Sequence, residues 1–525
     1  MRIAALVKQV PAFETMEIGP DGRLVREGLP LEMNPYCRRA VAQGVELARA
    51  TGGTCTVVTM GPSSAEDCLR EAIAWGCDDG VLISDPAFAG SDTLATARTL
   101  AAALACLDPF DLVLMGRNSV DADTGQVPPQ LAQLHDVAFA AGVRRLTIDD
   151  EIARVRCEED DGYSERIVRL PAVMSCAERL CDPAKVDPAG RAAVSADRIR
   201  ILRAVDLGPG RWGEDASGTY VGEVRELALQ RERRMLVGPV AQQVTDAVKL
   251  LADRGALDVS VAAVGPSALG GPLGTAGPTV AAVVEPDRPT VGRELLGAAH
   301  ALASAIGGHV AAVVAGEAHD PVASWGADSV VGVEGARSEE DVAAALVAWA
   351  GRTRPWAVLL PGTMWGREVG GRAAAALGAG LIGDAIELEV ATVASTGERQ
   401  LLAWKPAFGG RLVAAIYCST AIQMATVRAG VLAVPATRAA TPVRVEQVSV
   451  ASRGRVEVLS TLRDDDIDTL AGARVVVGVG AGVAPQDYPT IDALAAVLGA
   501  EIAATRKVTD NAWMPRARQV GITGR

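Results

Sequence analysis

Residues that build metal centres are scarce in this sequence. Among 525 residues there are four histidines and nine cysteines, and no two cysteines form a C-x-x-C pair. Zinc and iron–sulfur sites draw on closely spaced cysteines and histidines, and scattered cysteines are typical of reduced thiols rather than disulfides. We therefore predict neither a metal site nor a disulfide framework.

Clusters of positive charge and long apolar runs are also missing. The formal net charge is −13, which argues against the basic surface that nucleic-acid binding requires. No apolar run approaches the roughly 20 residues that span a bilayer, so membrane insertion is not expected. The apolar run after Met1 is too short for a signal peptide and lacks a small-residue cleavage site. The sequence therefore predicts a cytoplasmic protein.

Aromatic residues make up only 3% of the chain, whereas alanine, valine, glycine and leucine are abundant. This composition suits helices packed on both faces of parallel strands. The length is several times that of a usual domain. We therefore predict an α/β protein of about three compact units.

A long internal repeat organises the chain. Three segments recur in the same order with similar spacing: Leu47–Gly61 as Leu302–Gly316, Trp75–Asp78 as Trp325–Asp328, and Pro109–Gly116 as Pro355–Gly362. Each copy alternates strand and helix patterns, which is typical of a doubly wound parallel sheet with its ligand crevice beyond the carboxyl ends of the strands. The repeat predicts two pseudo-symmetric domains of this kind.

Breaks in the pattern of apolar residues predict where one unit ends and the next begins. A Gly/Pro/Ala stretch at Val264–Pro278 is typical of a connector, and Val240–Gly255 before it has apolar residues at helical spacing, as expected of an arm. Another strand pattern begins at Arg474. We predict a first unit with an arm at 1–257, a linker at 258–278, a second unit at 279–435 and a partial Rossmann-like unit at 436–525.

Short motifs then suggest a family. In the first half they are Val7–Pro11, Val25–Gly28, Asn34–Tyr36, Met60–Pro62, Phe88–Thr96 and Asp121–Val127, and in the second half Gly366–Arg367, Lys405–Gly410, Gln423–Arg428, Thr505–Arg506 and Gln519–Gly524. In this order the chain resembles an electron-transfer flavoprotein whose beta and alpha subunits are fused. The resemblance implies two domains with the adenine-nucleotide hydrolase-like fold and an alpha-type FAD domain.

The resemblance implies an adenine nucleotide in the beta-like half, AMP in plain carriers or a second FAD in electron-bifurcating members. The motifs Phe88–Thr96 and Asp121–Val127 are more similar to the bifurcating members. Hydroxyls and main-chain N–H groups at helix starts favour phosphate, although Ser91 and Thr124 would also suit plain helix N-caps. The predicted nucleotide-binding residues are Leu6, Val7, Asn34, Met60, Ser91, Asp92, Thr93, Thr96, Asp123, Thr124, Gly125, Gln126 and Val127.

In the alpha-like half the resemblance implies a second cofactor site, for FAD. The predicted residues are Thr505, Arg506, Gln519, Gly521 and Thr523. A fixed guanidinium beside the flavin stabilises negative charge on the ring and raises its potential; the alternative for Arg506 is a solvated surface charge.

The FAD domain also departs from the family pattern. The family continues beyond the last loop of this sequence, and it has a glutamine where Ile522 stands. A unit this small hardly buries a core of its own. We expect it to dock, or to be completed by another chain or a second copy of this one.

Three functions follow as hypotheses. The first is an electron-transfer flavoprotein that carries electrons through FAD between a flavin dehydrogenase, or NADH, and a downstream acceptor. The second is a redox-silent, adenine-nucleotide-binding interaction module that has lost the alpha flavin. The third is a bifurcating enzyme that oxidises NADH at a beta-half flavin. No catalytic residue is predicted, because a flavin carries this chemistry.

Overall fold

The computed structural model describes residues 1–11, 17–18, 24–25, 30–226, 234–256, 268–316, 321–393, 396–407, 412–439, 441–463, 470, 473–515 and 518–520. Within these ranges the chain forms two large sheets with helices packed against them, a four-stranded sheet, a three-stranded sheet near the C terminus and two sheets of two short strands. The predicted α/β fold is confirmed.

The first large sheet has ten strands. Seven are parallel and lie in the order Ile199–Leu202, Asp79–Ile83, Thr54–Met60, Arg2–Val7, Leu112–Gly116, Ala172–Cys176 and Ala138–Asp149. Three antiparallel strands extend it, Ile152–Glu159, Gly162–Arg169 and Val456–Arg463. We call this sheet and its helices the first domain.

Helices cover both faces of the parallel part of this sheet. They are Cys37–Thr51, Glu66–Trp75, Thr93–Ala105 and Val127–Leu134. Along Arg2–Val7 alternate side chains enter opposite cores: Ile3 packs with the first two helices, whereas Leu6 packs with the last two. This burial on both sides explains why the strands are continuous runs of apolar residues.

The second large sheet repeats the parallel part of the first, strand for strand. Its seven parallel strands lie in the order Arg444–Ser449, Ser329–Glu334, His309–Ala315, Thr279–Val284, Ala357–Pro361, Gln423–Val427 and Gly380–Ala385. The helices are Pro289–Ile306, Pro321–Ser324, Glu339–Thr353 and Met364–Leu377. We call this sheet and its helices the second domain.

A Gly-Gly pair that recurs at the same place in both domains explains part of the similarity between the two sheets. Gly52 and Gly307 each follow the last helical residue and adopt the left-handed conformation, with φ of 63° and 67°. Only glycine adopts this conformation without strain, so the pair ends the helix and turns the chain into the next strand.

The two domains exchange strands. Thr219–Glu226, from the first half of the chain, pairs antiparallel with Leu412–Cys418 in a four-stranded sheet that also holds Arg399–Ala407 and Glu387–Thr392. We include this sheet in the second domain, because Leu401 and Ala403 pack in the core of that domain. Reciprocally, Val456–Arg463 closes the edge of the first sheet. Arg444–Ser449 lies in the second sheet, so two strands beyond residue 435 belong to the large sheets. The predicted division into units stays a prediction.

The C-terminal unit is a small parallel sheet of Val476–Val479, Glu501–Thr505 and Gln519–Val520 with the helices Tyr488–Leu498 and Arg506–Asp510. The arm contains the helix Val240–Asp253. The predicted linker lies partly outside the described residues, which omit 257–267. Among the helices that the structure describes, none combines the length and apolar character needed to cross a bilayer.

Candidate functional site

The order of the strands places a crevice in the first domain. The strand Arg2–Val7 pairs with Thr54–Met60, the next strand of this sheet along the chain, on one side and with Leu112–Gly116 on the other. The loops that follow Arg2–Val7 and Leu112–Gly116 therefore lead to opposite halves of the sheet. A crevice beyond the carboxyl ends of such a pair is where open α/β sheets bind their ligands.

One wall of this crevice is the loop between Leu112–Gly116 and Val127–Leu134, and buried polar contacts hold it. Asn34 donates from Nδ2 to the carbonyl of Asn118 (2.8 Å) and accepts at Oδ1 from the N–H of Val120 (3.2 Å). Lys8 Nζ lies 2.7 Å from Asp121 Oδ2. Burial opposes ionisation of Asp121, yet Lys8 lowers its pKa below the ordinary value. Asn34 thus positions the loop, and its predicted contact with a nucleotide stays a prediction.

Behind the loop, a chain of hydrogen bonds fixes the orientation of Gln126. Gln130 Nε2 donates to Thr93 Oγ1 (3.3 Å), and the Thr93 hydroxyl donates to Gln126 Oε1 (2.9 Å). Gln126 is fully buried, and its Nε2 has no hydrogen-bond partner among the described residues. A buried amide donor without an acceptor is costly, so Gln126 presents an N–H group that a ligand oxygen would satisfy.

The start of the helix Thr93–Ala105 is tied to the exchanged strand, and its predicted contact with a nucleotide stays a prediction. Asp92 caps it, accepting from the Ala95 N–H at 2.8 Å, and its other carboxylate oxygen accepts from the N–H groups of Gly218 (2.9 Å) and Thr219 (3.0 Å). Asp92 therefore anchors the exchanged strand. Ser91 is not the cap, because its hydroxyl donates to the Phe88 carbonyl at 2.7 Å.

The other predicted residues of the first domain lie in its core or on a helix, and their contact with a nucleotide stays a prediction. Leu6, Met60 and Val127 pack in the core on one face of the sheet, whereas Val7 packs on the opposite face. Thr96 is half-buried in its helix.

The tip of the loop faces the second domain. Asp123 is exposed, and Gly125 has a φ of 63°. A methyl group on Gly383 would lie 3.1 Å from Thr124 Cγ2 and 2.9 Å from Gln126 Nε2. Thr124 and Gln126 therefore lie against Gly383 of the second domain, whereas Asp123 stays exposed.

The second domain contributes charged residues that the sequence did not single out. Asp384, which follows Gly383, pairs with Arg428 and lies 3.5 Å from Arg367. Lys405 is 7% exposed, and burial lowers its pKa to about 8. Arg367 and Lys405 occur in two motifs that carry the family resemblance, and this is the one signal that would have identified them.

The equivalent crevice of the second domain is closed. Glu285 stands where Lys8 stands in the first domain, and it accepts from Thr363 Oγ1 (2.7 Å) and pairs with Arg288 (3.0 Å). A turn of the first domain covers these groups, with Asp161 2.9 Å from Arg288. Burial raises the pKa of Glu285 to about 7. Side chains of both domains thus fill the position that a nucleotide would need.

The C-terminal unit gathers part of the predicted FAD site. Thr505 lies at the carboxyl end of its strand, in register with Val520. Gln519 is buried and accepts from Thr509 Oγ1 at 2.7 Å. For Arg506 the backbone is described, at the first position of the helix Arg506–Asp510. The side chain of Arg506 and the residues Gly521 and Thr523 lie outside what the structure describes.

The glycine turn after Val476–Val479 fits a bulky cofactor. Methyl groups on Gly480 or Gly482 would meet no atom within 4 Å among the described residues, so the backbone is open at the edge where the carboxyl ends of the parallel strands meet. Ligands of parallel sheets bind at such an edge. These residues fit FAD.

Comparisons with known proteins agree with this architecture. The model of the electron transfer flavoprotein domain matches twice, over residues 21–197 and 289–453, and the model of the electron transfer flavoprotein FAD-binding domain matches residues 469–525. The double match confirms the repeat, and the FAD-binding match implies FAD as a cofactor.

Similar curated proteins align with about half of this chain. A caffeyl-CoA reductase-Etf complex subunit from Acetobacterium woodii is 36% identical over 248 residues, which are 46% of this chain and 95% of that protein. An electron transfer flavoprotein subunit beta from Thermoanaerobacterium thermosaccharolyticum is 34% identical, over 48% of this chain and 99% of that protein. The protein FixA of Bradyrhizobium diazoefficiens is 33% identical, over 46% and 90%. This chain belongs to the electron transfer flavoprotein family, with beta-like and alpha-like halves fused in one polypeptide.

Proposed function

We propose that this electron transfer flavoprotein carries electrons through FAD in its C-terminal unit, between a flavin-dependent dehydrogenase, or NADH, and a downstream acceptor. The observation that carries the proposal is the FAD-binding match, which falls on the unit whose glycine turn and strand ends are open. When bound, FAD supplies the redox chemistry, accepting and donating electrons. The protein sets the distance, the exposure and the charge around it.

In this proposal Thr505, Arg506 and Gln519 hold the flavin, together with Gly521 and Thr523. Arg506 follows the strand Glu501–Thr505, so its backbone lies at the edge of the sheet where the cofactor binds. A guanidinium there favours negative charge on the flavin. Gln519 is fixed from behind by Thr509, which orients its amide.

We further propose an adenine nucleotide in the first domain, either AMP or a second FAD. Three observations support this site: it lies at the switch point of the sheet, Gln126 has an unused buried donor, and the equivalent crevice of the second domain is filled. A second FAD would make the first domain a candidate site for NADH oxidation and bifurcation.

The C-terminal unit presents apolar surface that a partner would cover. Val476 is 44% exposed, Leu494 46% and Val497 85%. We propose that another chain or a second copy covers this surface and completes the FAD domain. The redox-silent module is the second candidate function, and the same exposed surface favours it, because an uncovered FAD domain holds its cofactor weakly. The cytoplasmic location stays a prediction.

A count of released cofactors tests these proposals. The full chain is purified without added nucleotide, denatured, and its FAD and AMP are quantified per polypeptide. One FAD with one AMP supports a plain carrier, and two FAD support a bifurcating protein. AMP without FAD would contradict the electron carrier and support the silent module. Anaerobic NADH titration then separates the first two, because direct reduction is expected only in the bifurcating case.

A further inference from the structure

The boundary between the two domains holds more cations than carboxylates beside the loop that ends at Gln126. Three cations of the second domain, Arg367, Lys405 and Arg428, face the carboxylates of Asp384 and Asp123. The Asp384 carboxylate already pairs with two guanidinium groups, those of Arg428 and Arg367. Asp123 is exposed and is bonded by the Asn118 amide.

This distribution leaves the Lys405 ammonium without an ion-pair partner among the described residues. Lys405 is 7% exposed, and its Nζ has no hydrogen-bond acceptor among the described residues. Lysine is almost never buried in this way unless it is paired. Burial lowers its pKa to about 8, against the attraction of Asp384 and Asp123, which shows how little the surrounding groups compensate it.

A second unused donor lies on the other side of the same boundary. Gln126 Nε2 belongs to the first domain, and it lies 2.9 Å from the position of a methyl group on Gly383, the residue before Asp384. The segment Gly383–Asp384 therefore has the Gln126 amide beside one residue and the charge cluster around the other. An anionic acceptor between the domains would satisfy both buried donors, one of which is cationic.

We propose that Lys405 and Gln126 together bind a phosphate oxygen of the nucleotide, so that the ligand of the first domain is held from the second domain as well. This inference rests on the proposed nucleotide site and adds a specific anion-binding residue to it. The site then exists only when the two domains are docked. Lys405 lies on Arg399–Ala407, next to the strand that pairs with the exchanged Thr219–Glu226, so the strand exchange supports its position.

The test is a titration of the full chain, freed of bound nucleotide, with AMP and separately with FAD. We expect Lys405→Gln to weaken binding about ten- to a hundredfold, as expected for a charged hydrogen bond, and Lys405→Arg to retain part of the affinity. Lys249→Gln, which removes an exposed lysine on the arm helix, is the matched control and should bind as the original chain does. If the affinity falls for both AMP and FAD, the acceptor is on the phosphate that the two ligands share. If the affinity falls for FAD alone, the acceptor is on the second phosphate of FAD.

The pH dependence of the unsubstituted chain gives an independent readout. Between about pH 7 and pH 9 the Lys405 ammonium loses its proton. The charged groups that face it are the carboxylates of Asp384 and Asp123 and the guanidinium groups of Arg367 and Arg428. Affinity should therefore fall over this window in the original chain and stay level in Lys405→Gln. This readout does not depend on the folding of a variant.

Two results would overturn the inference. If Lys405→Gln binds AMP and FAD as tightly as the original chain, and affinity is level with pH, Lys405 is not a ligand although the nucleotide site itself stands. If the original chain binds neither AMP nor FAD in its first domain, the proposed nucleotide site fails and the inference fails with it.

Discussion

The buried ion pair that joins the two domains gives the sharpest stability prediction. Arg166 of the first domain donates to both oxygens of Glu339 in the second, at 3.0 and 3.3 Å, and to Glu159 at 2.8 Å. The side chains of Arg166 and Glu339 are 7% and 9% exposed. Arg166→Met would leave the buried carboxylate of Glu339 and the half-buried carboxylate of Glu159 without this cation.

The expected cost is large because the remaining charges cannot reach water. Breaking a buried pair by removing one partner costs about 3–5 kcal/mol. Burial opposes the charge of Glu339, and Arg166 lowers its pKa below the ordinary value. Without Arg166 this pKa rises, so the carboxylate takes up a proton at mildly acidic pH. The loss of stability should therefore be greatest near neutral pH and shrink as the pH falls toward 5.

The assay is urea unfolding followed by circular dichroism, with Arg156→Met as the control. Arg156 lies on the neighbouring strand and pairs with Glu165 at 2.5 Å, but the two side chains are 28% and 34% exposed. Such a pair contributes about 1 kcal/mol or less. The reasoning is refuted if Arg166→Met costs no more than the control, or if Arg166→Met with Glu339→Gln recovers none of the loss.

Two further changes test the packing and the electrostatics at the same boundary. Gly371→Ala should lower the free energy of unfolding by about 1–3 kcal/mol in thermal or urea unfolding, because its Cβ would lie 2.7 Å from the Pro129 ring. The control is Gly351→Ala, in a helix, where the new Cβ would meet no atom within 4 Å among the described residues. This change should raise the free energy of unfolding by about 0.5–1 kcal/mol. Glu285 has a pKa raised from 4.5 to about 7, so the folded protein binds the proton more tightly and loses stability as the pH rises through that range. Glu285→Gln should make this fall shallower, and an unchanged pH profile would contradict the assignment.

Much of the fold was predictable because the repeat is local. Leu47–Gly61 and Leu302–Gly316 each contain a helix end, a left-handed glycine and a buried strand, all of which short-range patterns encode. The exchange of Thr219–Glu226 and Val456–Arg463 was not predicted. Tertiary packing determines which strand an edge strand pairs with. Its own sequence therefore does not indicate a partner some two hundred or more residues away.

The site was predictable only in part, for a similar reason. The glycine turn and hydroxyls around Thr124 and Gln126 follow from local chemistry, and the structure brings them together. Asn34 and Asp92 are polar residues near the crevice whose side chains hold a loop and a strand. Lys405 was missed because its burial is a result of tertiary packing, which the pattern of its own strand does not indicate.

The most direct test of the account is an anaerobic redox titration of the full chain with the cofactor it retains on purification. The account predicts a flavin spectrum that bleaches on reduction and returns when a one-electron acceptor is added, with one FAD in the C-terminal unit responsible. A protein that carries no flavin after supply of FAD, or whose reduced flavin passes no electrons to any acceptor, would contradict it.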